Sequence, residues 1–456
     1  MFMTKYEMLP TEENLKETLY NDTIGRNKDI VYFYNILQAQ ESASAIAVDG
    51  RWGSGKTFFV RQTKMVINAL NSSCTMDEET KAKITSSLPF SKNDEIKENY
   101  SMAVYYDAWE NDNDTEPILS LIYEITKQLS IDFSLSDISI VKTAGAIIEA
   151  ISGHNVNSIK DAFTSENPFT KFKEQKDVEQ KIKDFFAGLL VERANRLVIF
   201  IDELDRCKPT FAVHLLEQIK HYIFDTNITY VFSVNLEQLQ HTIKHYYGAN
   251  FDSCRYLDRF FDLRISMPPA NMEKFYSKIG LGSRYYVDIV TKRIIKMFNF
   301  ELREITRFYS QIEASVHEPI YNNNKYDFSF SDGKGRLFIL TYIVPLLIGL
   351  KIVDISKYDN FVDGQYSEPL NELFDIEEDN YLLSDMLNRD ESFEKEDGKK
   401  LVIKEEIIKR LYDAVFVNQY NGSGYRTVLG QYEFSKESKM FAINTANMMS
   451  KYVKLY

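Results

Sequence analysis

Residues 50–57 read Gly-Arg-Trp-Gly-Ser-Gly-Lys-Thr, and this octapeptide restricts the fold more than any other stretch of the chain. Glycines let the backbone take conformations that a Cβ resists. Successive N–H groups can then turn inward toward an anion. In such a GxxxxGK(S/T) loop the lysine, here Lys56, reaches the β- and γ-phosphates, and the hydroxyl, here Thr57, ligates Mg²⁺. The flanks have the order that the motif demands. Ala45–Asp49 (AIAVD) is a short apolar run suited to a buried strand, and FFVRQTKMVINAL after Thr57 has helical spacing. The helix start aims its positive end at the same anion. The candidate nucleotide contacts are therefore Gly50, Arg51, Trp52, Gly53, Ser54, Gly55, Lys56, Thr57 and Phe58. The segment around Ile24, Gly25 and Arg26, just ahead of this strand, is expected to form one wall of a base pocket.

A cradle alone binds; hydrolysis also needs a metal organiser and a group that positions water. LVIFIDELDRCKP supplies both. Val198–Ile201 bury a strand and deliver Asp202 to its C-terminal end, where ligands of open α/β sheets bind. Asp202 is the second candidate Mg²⁺ ligand beside Thr57, and Glu203 is the candidate general base or water-orienting residue. Arg206 has three readings: a local pair with Asp205, a nucleotide contact, or a reach to a neighbouring subunit. Asn235 ends the next strand, where its amide can meet the γ-phosphate or the lytic water, and also cap the helix LEQLQHTI.

Strand runs at 45–49, 102–107, 196–201, 228–234 and 262–267 alternate with helical patterns at 58–70, from near Pro117, and at 210–224 and 236–247. That alternation predicts a parallel sheet covered on both faces. Beyond Pro269 only helical patterning is expected, in 271–316, 335–350, 366–374 and 400–416. The fold class is thus α/β, a P-loop sheet with helices on both faces followed by an α-helical C-terminal domain. The expected divisions are a helical lead-in at 1–44, a core at 45–270 with a helical insert at about 117–190, and a helical lid and C-terminal domain at 271–456. Residues 72–100 and 375–397 read as polar surface excursions.

LFILTYIVPLLIGL, Leu337–Leu350, is uncharged but shorter than the ~20 residues a bilayer needs, and Pro345 interrupts it. It is expected to be core, and the protein to be cytoplasmic with no membrane contact. Three cysteines, Cys74, Cys207 and Cys254, offer neither a disulfide framework nor a zinc site. A formal net charge of −13 disfavours a nucleic-acid coat. His241 and His245 stand four apart without a third ligand nearby. Trp109 is expected to anchor packing by burial. An extra strand, 102–107, between the glycine-loop strand and the Asp202 strand, with Glu203 adjacent, fits the ATPase branch that includes AAA-type and signal-transduction ATPases, and no NKxD guanine-reading tetrapeptide stands at the late strand end. ATP is therefore favoured over GTP.

Taken together, GRWGSGKT, YYDAWENDNDTEPILSLI, FIDELDRCKP, VFSVNLEQLQHTIKHYYG, YLDRFFDLRISMPP and LREITRFYSQI resemble the KAP family of P-loop NTPases over roughly residues 20–315. The resemblance implies an ATPase core related to AAA-type and STAND switches, with ATP and Mg²⁺ as cofactors. It implies a late arginine helix in which Arg303 and Arg307 sense the γ-phosphate from a lid; the alternative is an exposed face on which they pair with Glu301 or Glu304. Two positions depart from the family pattern, Asn235 where Asp is common and Arg259 where Lys is common. Many bacterial relatives look like components of defence against phage.

The reading favoured is a switch or assembly ATPase with slow or partner-stimulated turnover. The alternatives are a regulatory ATP-binding interaction module, and a nucleic-acid-acting ATPase. The expected partner is a second copy of the chain in a nucleotide-dependent oligomer, or another protein. Arg255, Arg259 and Arg264, expected at the far sheet edge, are candidates to act in trans.

Overall fold

Five apolar runs lie side by side in the computed structural model, which describes residues 8–90, 101–129, 180–190, 194–222, 227–283, 285–316, 334–375, 404–418 and 426–449. They are β1 (Ser44–Asp49), β2 (Ser101–Asp107), β3 (Arg196–Asp202), β4 (Ile228–Val234) and β5 (Leu263–Ser266). All pair in parallel, in the order β2-β3-β4-β1-β5. β2 precedes β3 in the chain but lies at the sheet edge. The strand between the glycine-loop strand and the Asp202 strand is β4.

Side chains alternate faces along a strand, and both faces are apolar. Ala45, Ala47, Leu197, Ile199, Ile201, Tyr230 and Phe232 pack with helices Pro117–Gln128, Pro209–Tyr222 and Leu236–Tyr247 and with helical residues 180–190. Ile46, Val48, Val198, Phe200 and Val231 face the other way, against helices Glu12–Tyr20, Asn27–Gln38 and Lys56–Leu70. Fully burying each such aliphatic or aromatic side chain contributes about 1.5–3 kcal/mol. The same parity sets the site. Tyr105, which also packs on this second face, shares it with Asp202, two residues beyond Phe200 on β3. That is the face covered by the helix that starts at Lys56.

The chain divides into two compact units, Leu9–Phe275 and a second from Tyr276 onward. From Leu9 onward, the helical lead-in belongs to the first. The second has helices Met272–Ile279 (whose last residues belong to it), Tyr286–Phe298, Leu302–Ile312, Ile355–Val362, Glu368–Asp375, Lys404–Phe416 and Lys436–Ala446. Its apolar segment is one helix, Gly335–Val353, with 72% of its most apolar window buried. Among the described residues no other helix is long and apolar enough to cross a membrane. Pro345 is accommodated by a π-helical stretch, Ile339–Ile343, immediately before it. The wider turn absorbs a residue that cannot donate to the preceding turn.

One expectation is corrected. The C-terminal unit is not wholly helical: β6 (Arg426–Leu429) and β7 (Tyr432–Ser435) form an antiparallel hairpin. Its inward residues Leu429, Tyr432 and Phe434 are buried while Val428 is exposed, an alternation over four-residue strands that a search for continuous apolar runs passes over. Within the polar excursion that begins at residue 72, Glu78–Ser86 is helical, capped by Asp77 accepting from the Thr80 N–H at 2.8 Å. Its single buried residue, Ile84, leaves almost no periodic signal. Residues 143–151 and 152–169 and nearly all of 375–397 lie outside the described residues.

Candidate functional site

β1 runs into the loop Gly50–Gly55 and then into helix Lys56–Leu70. Gly53 and Gly55 have φ of +86° and +89°, left-handed values at which a Cβ is penalised. Lys56 is buried, and its ammonium donates to the carbonyls of Gly50 at 2.6 Å and Arg51 at 3.3 Å. Desolvation lowers its pKa, opposed by the carboxylates of Asp205, Asp202 and Glu203. Ser54 Oγ is buried in the loop without a hydrogen-bond partner. An orphaned hydroxyl, a cation satisfied by loop carbonyls and a helix N-terminus form a donor set suited to phosphate oxygens.

Across the site, Asp202 is fully buried. Its Oδ2 accepts from Thr57 Oγ1 at 2.7 Å and from the Tyr105 hydroxyl at 3.0 Å, and its Oδ1 accepts from the Glu203 N–H at 3.0 Å. Burial pushes the Tyr105 phenol upward, with the Asp202 charge adding to it, so Tyr105 stays a donor. Tyr105 is a residue that sequence reasoning missed; its signal was the parity of YYD on β2, two positions from Asp107.

Glu203 turns the chain out of β3 with φ +60°, a conformation costing a non-glycine residue about 1–3 kcal/mol. Burial, then the neighbouring Asp202 charge, raises its carboxyl pKa to about 7, with Arg206 opposing. Arg206 Nε lies 2.5 Å from Glu203 Oε2. This corrects the local alternative: Arg206 pairs with Glu203, while Asp205 Oδ2 accepts from the Trp52 indole N–H at 2.6 Å. The Arg206 guanidinium also lies 5.7 Å from the Trp52 ring and 5.6 Å from the Trp109 ring. Trp109 is therefore not a buried anchor. It is 52% exposed, on a loop turned by Asp107, whose Oδ1 accepts from the N–H groups of Trp109 and Glu110 at 3.1 Å.

Asn235 stands at the end of β4, between β1 and β3 in the sheet. Its Oδ1 accepts from the Gln238 N–H at 3.3 Å, so it caps the following helix. The Leu236 N–H donates to Asp49 Oδ1 at 2.9 Å, tying that cap to the strand of the glycine loop.

Ile24, Gly25 and Arg26 join helices Glu12–Tyr20 and Asn27–Gln38. Arg26 is buried, and its Nη1 donates to the Ser54 carbonyl at 2.8 Å, bracing the loop from beneath. Ile24, Arg26, Gly55, Phe58 and Phe59 line a small cavity of about 10 Å³, space for one water and not for a purine ring.

Arg303 and Arg307 lie in the second unit, on the exposed face of helix Leu302–Ile312. Glu304 Oε2 accepts from the Glu301 N–H at 2.8 Å, so this carboxylate caps the helix start. In the first unit, Arg255 pairs with Asp252 at 3.4 Å and Arg264 on edge strand β5 with Asp258 at 2.5 Å. The Arg259 carbonyl accepts from Lys220 Nζ at 2.7 Å. His241 and His245 are exposed on their helix, and no group of three or more His, Cys, Asp or Glu among the described residues is arranged to hold a metal.

A family model described as the KAP family P-loop domain matches residues 26–284. No curated protein matches the chain.

Proposed function

The chain belongs to the KAP family of P-loop NTPases, and from that premise we propose that it binds ATP with Mg²⁺ and hydrolyses it slowly, as a switch or assembly ATPase. The observation that carries the reading is the Thr57–Asp202 hydrogen bond of 2.7 Å, because it puts the loop hydroxyl and the strand carboxylate within reach of one metal ion. The loop N–H groups, Ser54 Oγ and Lys56 would hold the phosphates, with Gly50, Arg51, Trp52, Gly53, Gly55 and Phe58 shaping the cradle. Thr57 and Asp202 would hold Mg²⁺. Bound there, the ion supplies positive charge against the phosphate oxygens.

Glu203 would accept a proton from water at Oε1, since Oε2 is engaged by Arg206. Asn235 would orient that water or the γ-phosphate from the end of β4. Arg26 would keep the loop in shape through its bond to the Ser54 carbonyl, and the base would lie outside the small cavity beside Ile24. Arg303 and Arg307 would supply γ-phosphate sensing if the second unit closes as a lid. A nucleotide-dependent oligomer, completed in trans by Arg255, Arg259 or Arg264, a cytoplasmic location and a role in defence against phage belong to the same proposal. The last of these rests on family likeness alone.

Steady-state phosphate release tests it. Wild type should turn over ATP only with Mg²⁺ present, and Glu203→Gln should lower the rate at least about 100-fold while keeping nucleotide affinity. Equal rates in the two would overturn the role of Glu203. Tight nucleotide retention without turnover in wild type would favour the regulatory binding module instead.

A further inference from the structure

Arg206 has three side chains within reach. Its Nε meets Glu203 Oε2 at 2.5 Å, and its guanidinium lies within 6 Å of two indole rings, Trp52 at 5.7 Å and Trp109 at 5.6 Å. That is the range in which a cation is attracted to an aromatic face. The Trp52 ring and the backbone of Trp109 are held from elsewhere. The Trp52 indole N–H donates to Asp205 at 2.6 Å. The Trp109 loop is closed by Asp107, and farther along, Asp112 Oδ2 accepts from the Lys208 N–H at 3.1 Å, tying this loop to the segment that carries Arg206. Arg206 is also next in chain to Asp205, so one short turn, Leu204–Arg206, meets a tryptophan of the glycine loop and another of the loop after β2.

A glutamate side chain has three rotatable bonds, and a base must present one oxygen to water. Here one oxygen is taken by a guanidinium that two rings keep from swinging. We infer that Arg206, gripped by Trp52 and Trp109, is a positioning residue that aims the free oxygen of Glu203 at the water, and that the grip couples this aim to the glycine loop through Trp52. The inference rests on the reading of Glu203 as the base. Planarity matters in this role: a guanidinium can stack on two rings and bond a carboxylate in its own plane, whereas an ammonium is a point charge.

The chain contains two tryptophans, and both lie against Arg206, so intrinsic indole emission reads the grip directly. The experiment compares wild type, Arg206→Gln, Arg206→Lys, Trp109→Leu, Glu203→Gln and the double variant Glu203→Gln/Arg206→Gln. Turnover with ATP and Mg²⁺, emission spectra and melting temperature are recorded for each. Arg206→Gln should lower kcat by about 10- to 100-fold, the range expected when a reacting group is misplaced by about 1 Å. KM should stay within about twofold, and the emission spectrum should change. Arg206→Lys should recover only part of the kcat. Trp109→Leu removes one exposed jaw without touching the core, and should lower kcat about threefold to tenfold with unchanged melting. In the Glu203→Gln background, Arg206→Gln should cost nothing further, because an aim without a base has no effect.

Loss of turnover in Glu203→Gln with none in either Arg206→Gln or Trp109→Leu overturns this inference alone. A further loss of turnover in the double variant also overturns it, since Arg206 would then act other than through Glu203. Turnover persisting in Glu203→Gln overturns the reading of Glu203 and this inference with it.

Discussion

Thr57 Oγ1 donates to Asp202 Oδ2 at 2.7 Å across 145 residues of chain. β4 separates their strands in the sheet, so the contact exists because helix Lys56–Leu70 covers the face on which Asp202 emerges. Thr57→Val keeps the shape and deletes the donor. It should abolish the gain in ATP affinity on adding Mg²⁺, and leave a buried carboxylate short of a partner at a cost of about 1–3 kcal/mol. Calorimetric titration of ATP with and without Mg²⁺, alongside urea unfolding, measures both.

Tyr105 is the second hydroxyl on the same oxygen, at 3.0 Å. Tyr105→Phe should leave the fold intact and weaken Mg²⁺-dependent ATP binding about 10- to 100-fold, the scale of one hydrogen bond to a charged group. An unchanged Mg²⁺ titration would remove Tyr105 from the site.

Gly25 has φ +73°, and a Cβ there would lie 2.4 Å from Asn271 Cβ. The Asn271 N–H donates to the Ile24 carbonyl at 2.8 Å, so the neighbour is pinned. Gly25→Ala should destabilise the first unit by about 2–3 kcal/mol, combining left-handed strain with the clash. A denaturant midpoint equal to wild type would contradict this.

Phe200 is fully buried on the face of the sheet that also holds Asp202. Phe200→Ala should cost about 3–5 kcal/mol and weaken nucleotide binding as well, since the cavity opens directly beneath the carboxylate. The mirror substitution Ile199→Ala, on the other face, should cost about 2–5 kcal/mol with smaller loss of binding. Comparing the two by urea unfolding and ATP titration separates packing from site geometry.

The parts of this molecule that could be read from sequence are those with a strong local rule. A glycine loop between an apolar run and a helical pattern has one construction, and a continuous apolar run ending in Asp202 has one sensible edge. Non-local geometry was less accessible. Arg206 lies three residues from Glu203 and next to Asp205, and nothing in DELDRC says which acid it takes; the left-handed backbone at Glu203 decides that. Tyr105 sits on the Asp202 face only once the register of β2 against β3 is known. The grip on Arg206 needs Trp52 and Trp109 to converge from loops 57 positions apart in number. Short elements failed for a different reason: helix Glu78–Ser86 buries one residue, and the β6–β7 strands are four residues each, too brief for periodicity to register.

The most direct test is the Mg²⁺ dependence of ATP affinity in Asp202→Asn beside Lys56→Ala, measured by calorimetric titration in Mg²⁺ and in EDTA. Convergence on one Mg²⁺–triphosphate predicts that Asp202→Asn loses the Mg²⁺ gain while keeping the affinity seen in EDTA, and that Lys56→Ala loses affinity in both. An Asp202→Asn protein that retains the full wild-type gain from Mg²⁺ would contradict the account.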